Sequence, residues 1–225
     1  MTWVEAARGA FERLVEAEAD AGREGVRGRL EGLRLAYLDQ RADGTDRPLA
    51  EGAGAARTRG VWVLWMLRQA LSPPLFETVR RVWRQGGALE TEDLRDLAER
   101  QGRLDLGNFF DYWVFATHLP EFRLRQAEAS SGKPSAAMAQ DGGFALSIRV
   151  ENLGSGVWPA PIVVQTEEGA RHDFAAPVGP GTAARLQVEL LTRPVCAAVD
   201  PEGDVLMATG ERIWLPVRFK RFWLF

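Results

Sequence analysis

Cysteine is almost absent from the 225 residues. The single thiol, Cys196, excludes an intrachain disulfide and any multi-cysteine zinc or iron–sulfur site. Histidine is nearly as scarce. His118 and His172 lie in different halves of the chain, and neither opens an H-E-x-x-H pair, whose spacing sets two imidazoles on one helical face. Long hydrophobic runs are missing too. The longest strongly apolar stretch, Val61 to Leu67, is far short of the roughly 18 residues that cross a bilayer, so no transmembrane helix is expected. Excess positive charge is lacking: the formal net charge is −3 and the pI about 5.6, which argues against a nucleic-acid binder held by phosphate contacts. The opening residues, MTWVEAARGAF, have neither the basic start nor the apolar core of a secretory signal, so a cytoplasmic location is expected if Met1 is the natural start. Otherwise the compartment is unassigned.

What is present is an ordinary globular balance, 46% apolar and 26% charged residues, enough to build a packed core. The periodicity changes near residue 130. Before it, apolar residues recur at helical spacing. Val4, Ala7, Phe11, Leu14 and Val15 share one face, and Val26, Leu30, Leu33 and Tyr37 another. Glycines at 22, 25, 28 and 32 predict that this second helix is short or irregular. A loop from Gln40 to about Ala56 follows. Arg59 to Leu71 is apolar on all sides in its middle and reads as an enclosed helix. Ser72 before Pro73 and Pro74 reads as an N-cap, as does Thr91 ahead of the next helix. The last helix carries Phe109, Phe110, Trp113 and Val114 and stops near His118 to Pro120.

Residues 126–140 are small and polar, the composition of a linker. Beyond them the period falls to two: Phe144, Leu146, Ile148 and Val150 alternate with polar or small residues. Roughly seven short strands separated by turns follow, Val205 to Ala208 among them, the pattern of an antiparallel sandwich. The fold class expected is therefore α+β in two domains: a helical bundle of about six helices over 1–127, a linker over 128–140, and an immunoglobulin-like β-sandwich over 141–225.

No catalytic constellation stands out. His118 reads as a capping or packing residue at a helix end, His172 with Asp173 as a solvated turn pair, and Cys196 as an inert thiol on an apolar strand. Ser155, in Gly154-Ser-Gly156, sits at a strand-to-strand turn and lacks the helix of a nucleophile elbow. Gly52-Ala-Gly54 lacks the lysine of a phosphate loop. Most of the eight tryptophans fall on inward faces; Trp62, Trp65, Trp158 and Trp223 are the candidates for an interface. The terminal VRFKRFWLF reads as a final edge strand, with contact to an anionic membrane surface as the other reading.

The order of segments carries further information. Arg59-Gly60 through Met66-Leu67-Arg68, Phe76, Thr91 to Leu94, and Asp105 to Pro120 follow one another in an arrangement that resembles the M1 family of zinc aminopeptidases. The Asp46-Arg-Pro-Leu49 loop, the Ile148 to Asn152 and Pro161 to Val164 strands, and Val199-Asp200-Pro201 agree with it. The resemblance implies the helical end of a catalytic domain followed by a small β-sandwich. Its departures bear on function. The family's zinc-binding histidines come from a segment upstream of the matched part. The helix bearing its glutamate ligand resembles residues 2–18, where the ligand position is Arg8 when aligned on Gly9 and Ala6 when aligned on Trp3, with Glu5 and Glu12 nearby. The family's transition-state tyrosine falls on Arg57. A cation beside a dication is a poor arrangement for holding zinc.

The resemblance thus implies a non-catalytic, M1-like binding or structural module that has no catalytic and no metal-binding residues of its own. Its expected partner is a separate protein chain or N-terminal domains of its own; zinc enters only with an upstream catalytic part. Two alternatives stand beside it: the C-terminal portion of an active zinc aminopeptidase, and a stand-alone module that binds peptide or sugar through Trp158 and the sandwich edges.

Overall fold

A computed structural model of the chain describes residues 1–52, 54–85, 89–132, 143–210 and 212–219. The chain is α+β and divides into two compact units. One comprises Met1–His118 with Glu202–Ala208; the other comprises Leu119–Pro201 with Thr209–Phe225.

The helical unit starts with α1 (Trp3–Ala42). Thr2 and Glu5 close a capping box at its first turn: the Thr2 hydroxyl accepts the Glu5 amide, and the Glu5 carboxylate accepts the Thr2 amide at 3.1 Å. The stripe Val4, Ala7, Phe11 and Leu14 is buried as its spacing requires. Gly22, at φ 63° and ψ −158°, breaks the helix in two, a backbone state costly for any residue with a Cβ. The second limb is neither short nor irregular. It runs on to Ala42 because Val26, Leu30 and Tyr37 are buried on one side, while Gly28 and Gly32 sit exposed on the other.

A 3₁₀ turn (Leu49–Glu51) lies within the expected loop, and a π-helical turn (Ala56–Gly60) leads into α2 (Val61–Leu71). Every residue from Val61 to Leu67 is fully buried. Contacts with α1, the π turn, α3 (Pro73–Arg84) and α4 (Thr91–Gly102) cover it. Pro73 and Pro74 open α3 as expected, although the Ser72 side chain makes no capping bond. Thr91 is not a cap either: Glu90 holds that position, and the Thr91 hydroxyl accepts the indole N–H of Trp3 at 3.0 Å. Phe11 packs edge-on to Phe76 at 5.5 Å and stacks on Trp83, tying α1 to α3. The last helix, α5 (Gly107–Trp113), ends earlier than its aromatic pattern suggests. Val205 to Ala208, expected as a strand, is not one. It belongs to the helical unit, where Val205, Leu206 and Met207 are buried.

The second unit holds two four-stranded sheets. With β1 (Phe122–Gly132), β2 (Gly143–Asn152), β5 (Ala183–Leu190) and β8 (Arg218–Phe219), the first has the order β5-β2-β1-β8. With β3 (Trp158–Thr166), β4 (Arg171–Val178), β6 (Pro194–Val199) and β7 (Leu215–Pro216), the second has the order β4-β3-β6-β7. All pairings are antiparallel except β1 with β8. Strand β1 corrects the expected linker, for residues 126–132 pair with β2 along their whole length. Its register slips between Leu124 and Gln126, a bulge at Arg125. The extra residue resets the alternation, so that Phe122, Ala127 and Ala129 all face inward. Without it, Phe122 and the two alanines would lie on opposite faces. Residues 133–140, the remainder of the expected linker, lie outside the described part.

The turn after β2 is a seam. A Cβ on Gly154 would stand 2.3 Å from the Leu119 carbonyl oxygen, and the amides of Ser155 and Gly156 both donate to that oxygen at 2.9 Å. Ser155 therefore sits in a backbone joint.

Candidate functional site

The two positions that the resemblance singles out, 8 and 57, carry arginines on the surface. Arg8 is exposed on α1 and lines a cavity of about 400 Å³ with Glu12, Glu16 and Arg84. Arg57 is exposed on the π turn and does not line that cavity. The two carboxylates nearest the expected ligand position are already engaged. Glu5 closes the capping box. Glu12 accepts hydrogen bonds from Arg80 and, at 3.0 Å, from Arg84, and both arginines also reach Glu77. Burial pushes the Glu12 carboxyl up, but the hydrogen bonds and charges of Arg80 and Arg84 outweigh it and hold the group below its ordinary value of 4.5. Glu12 is a neutraliser of arginines.

Next to the π turn lies a buried polar cluster. Arg59 is fully buried; its Nη2 donates to the carbonyl oxygens of Tyr112, at 3.3 Å, and Ala116. Arg41 donates to the Thr117 carbonyl. Two guanidinium groups thus hold the exit of α5 by its outward-facing carbonyls, where the helix end is electronegative. The Tyr37 hydroxyl donates to Asp46 at 2.9 Å, and Arg41 pairs with the same oxygen at 2.9 Å. Burial raises the Tyr37 phenol to about 12, with the Arg59 charge and the Arg41 hydrogen bond opposing it and Asp46 adding to it. Tyr37 is a donor held neutral.

The tryptophans separate by position. Trp62 and Trp65 are fully buried and do not reach a surface. Trp62 donates its indole N–H to the Leu30 carbonyl at 3.2 Å and Trp65 to Asp204 at 3.2 Å. Trp158, at the start of β3, is half-buried. Trp223 lies outside the described residues.

The other candidates settle into structural roles. His172 is within β4, opposite Val164 and stacked on Phe174, and is no turn residue; Asp173 pairs with Arg171 instead. His118 packs near the Tyr112 ring at 6.2 Å. Burial raises the Cys196 thiol above its ordinary value, and its Sγ lies 3.5 Å from the Gln165 amide oxygen, surroundings that favour the unreactive form. Among the described residues no group of three or more His, Cys, Asp or Glu is placed to hold a metal ion. Glu5 and Glu12 are committed to other partners and arginines stand at 8 and 57, so among the described residues these positions offer no ligand set for the zinc considered from the sequence. Arg59 and Asp46 lie in segments that carry the resemblance, but the sequence assigns neither of them a role; Arg80 lies in no motif, and only its charge beside an apolar helical stripe marks it.

No family model and no curated protein matches the sequence. Among solved structures the chain is similar to aminopeptidase A of Legionella pneumophila, crystallised with aspartic acid. The identity is 16% and the TM-score 0.55, over 99% of this chain and 25% of that one. The fold is aminopeptidase-like, and the chain spans about a quarter of that enzyme's length. It also aligns with the CARDB domain of the PF1109 protein from Pyrococcus furiosus, solved with di-metal ions, at 15% identity over 47% of this chain and 99% of that domain. The TM-score there, 0.30, is too low to define a shared fold.

Proposed function

We propose that the chain is a non-catalytic M1 aminopeptidase-like module: the helical end of such a catalytic domain followed by an immunoglobulin-like β-sandwich, acting as a binding or structural piece. The observation that carries this reading is the chemistry at the inherited positions. Arginines stand at 8 and 57, and both neighbouring carboxylates are consumed, one by a helix cap and one by Arg80 and Arg84. The fold likeness over 99% of the chain to a quarter of an aminopeptidase supports the assignment of the parts.

A buried α2 removes the simplest docking surface, since this helix needs no further cover. Of the four interface tryptophans, half-buried Trp158 is then the one that remains among the described residues. The partner is a separate chain or N-terminal domains of the same protein. The quarter-length match equally favours a second reading, in which the chain is the C-terminal portion of an active zinc aminopeptidase.

The test is zinc analysis of the purified chain together with hydrolysis of aminoacyl-anilides. The expected result is zinc far below one per chain and hydrolysis at the blank rate. Stoichiometric zinc with turnover overturns the non-catalytic reading. An in-frame H-E-x-x-H upstream of Met1, or a companion chain that co-purifies, decides between the two forms of partner.

A further inference from the structure

Among the described residues strand β1 is paired on one side only in part. Along its whole length it pairs with β2, but on the other edge only Glu128 and Ala129 are paired, with Arg218 and Phe219 of β8. Among the described residues no strand covers Phe122 to Ala127 on that edge. An uncovered edge of six residues is a template for an added strand.

Two adjoining cavities, of about 420 and 180 Å³, follow this strand and share Arg125. Leu215 and Pro216 of β7 line the first, and Ile213, 58% exposed, lines the second. Their charge is one-sided. Arg123, Arg125, Arg149 and Arg218 line them against Glu128 and Glu151; Arg123 is already paired with Glu121 at 2.9 Å, which leaves three arginines against two carboxylates on a protein whose net charge is −3. The bulge places Arg125 on this face, and Glu151 holds Arg125 at 2.7 Å and Arg149 at 3.2 Å. One carboxylate thus sets two guanidinium groups side by side, each with N–H donors left over and each nearly half exposed.

We infer that the open edge of β1 and its arginine-lined groove form a docking site for an extended acidic peptide of another protein. Main-chain hydrogen bonds to residues 122–127 supply the pairing. Carboxylates on alternate residues, which fall on one face of an added strand, meet Arg125, Arg149 and Arg218 in charge-assisted contacts. The apolar wall of Ile213, Leu215 and Pro216 takes the residues between them. The groove lies within the sheet-bearing unit alone and does not depend on the relation to aminopeptidases.

The experiment is fluorescence anisotropy with the full chain and three labelled probes: a ten-residue peptide alternating Glu with Thr or Val, the same peptide with Lys for Glu, and a ten-nucleotide single-stranded DNA. Saturable binding of the acidic peptide alone is expected. A triple R125Q/R149Q/R218Q variant should weaken it at least tenfold, and R125K/R149K/R218K should restore most of it. Circular dichroism establishes that the variants are folded; R218Q alone, at an edge position, serves if the triple variant is not, and it should weaken binding by a measurable factor. No saturable binding, equal binding of the lysine peptide or the DNA, or acidic-peptide binding unchanged by the variants overturns the inference.

Discussion

Asp204 accepts the indole N–H of Trp65 at 3.2 Å on the same Oδ1 that pairs with Arg23, across 139 residues of sequence. Arg23 and Arg68 both lie against the Trp65 ring, at 5.3 and 5.0 Å from its centre, and Arg68 pairs with Glu18 at 2.6 Å. Two cations, two carboxylates and one indole therefore hold Glu202–Ala208 within the helical unit. The kink at Gly22 brings Glu18 and Arg23, from the two limbs of α1, to the same cluster.

Trp65→Phe drops the donor and leaves a cavity where the rest of the indole packed, so it should cost at least about 1–3 kcal/mol, the usual penalty for an unmade buried hydrogen bond. Asp204→Ala, which removes the acceptor, should cost a comparable amount. Because both act on one contact, the double variant should lose clearly less than the sum. Chemical unfolding of the four proteins measures this; strict additivity would show that the indole and the carboxylate are not coupled.

Acid should weaken the α1–α3 contact through Glu12. Its folded-state pKa lies below the ordinary 4.5, so the carboxylate's stabilisation is fully present above that value and is lost as pH falls through the lower folded value. The melting temperatures of the native chain and of Glu12→Gln should differ by a constant amount near neutral pH and converge below pH 4.5. A gap that stays constant down to pH 3 would fail the idea.

Alkali should act on the helical unit through Tyr37. Its phenol is raised from 10.0 to about 12, so stability tied to the neutral form is complete below pH 10 and falls between 10 and 12. Difference absorbance at 295 nm between the native chain and Tyr37→Phe isolates this one group of the two tyrosines. The midpoint should fall near 12 in the folded state and near 10 in denaturant. A folded midpoint at 10 would mean that the phenol is solvated and that the Arg41–Asp46 cluster is open.

Periodicity made some elements legible and left others hidden, for physical reasons. The stripe Phe76, Val79 and Trp83 marks α3, and the alternation around Ile148 marks β2, because each has one buried face. Strand β1 reads as a linker because its bulge breaks the period of two and its inward residues include alanines, which carry little apolar signal. Val205 to Ala208 has the composition of a strand, but its surroundings are helices far away in sequence. The charged clusters were illegible for the same reason: Glu12 meets Arg80 and Arg59 meets Ala116 only after folding. Resemblance located Arg8 and Arg57, and the structure adds that both are exposed.

Asn152 tests the joint where the chain enters its sheets. It is fully buried and its amide is satisfied on both sides. Oδ1 accepts from the amides of Glu121 at 3.1 Å and Gly154 at 3.0 Å, and Nδ2 donates to the carbonyls of Gly156 at 2.8 Å and Val178 at 3.4 Å. Asn152→Ala leaves two donors and two acceptors without partners and should cost about 3 kcal/mol, the upper end for orphaned buried groups. Asn152→Asp separates a specific network from generic packing. The ionised carboxylate keeps both acceptor contacts but faces two carbonyl oxygens, so its folded-state pKa must rise above the unfolded value. Relative to the native chain it should then be least stable near pH 7 and recover as the pH falls toward 4, when a proton restores a donor. Unfolding in urea across that range measures it. Equal deficits at pH 7 and pH 4 would mean that the Gly156 and Val178 carbonyls do not read the Asn152 amide.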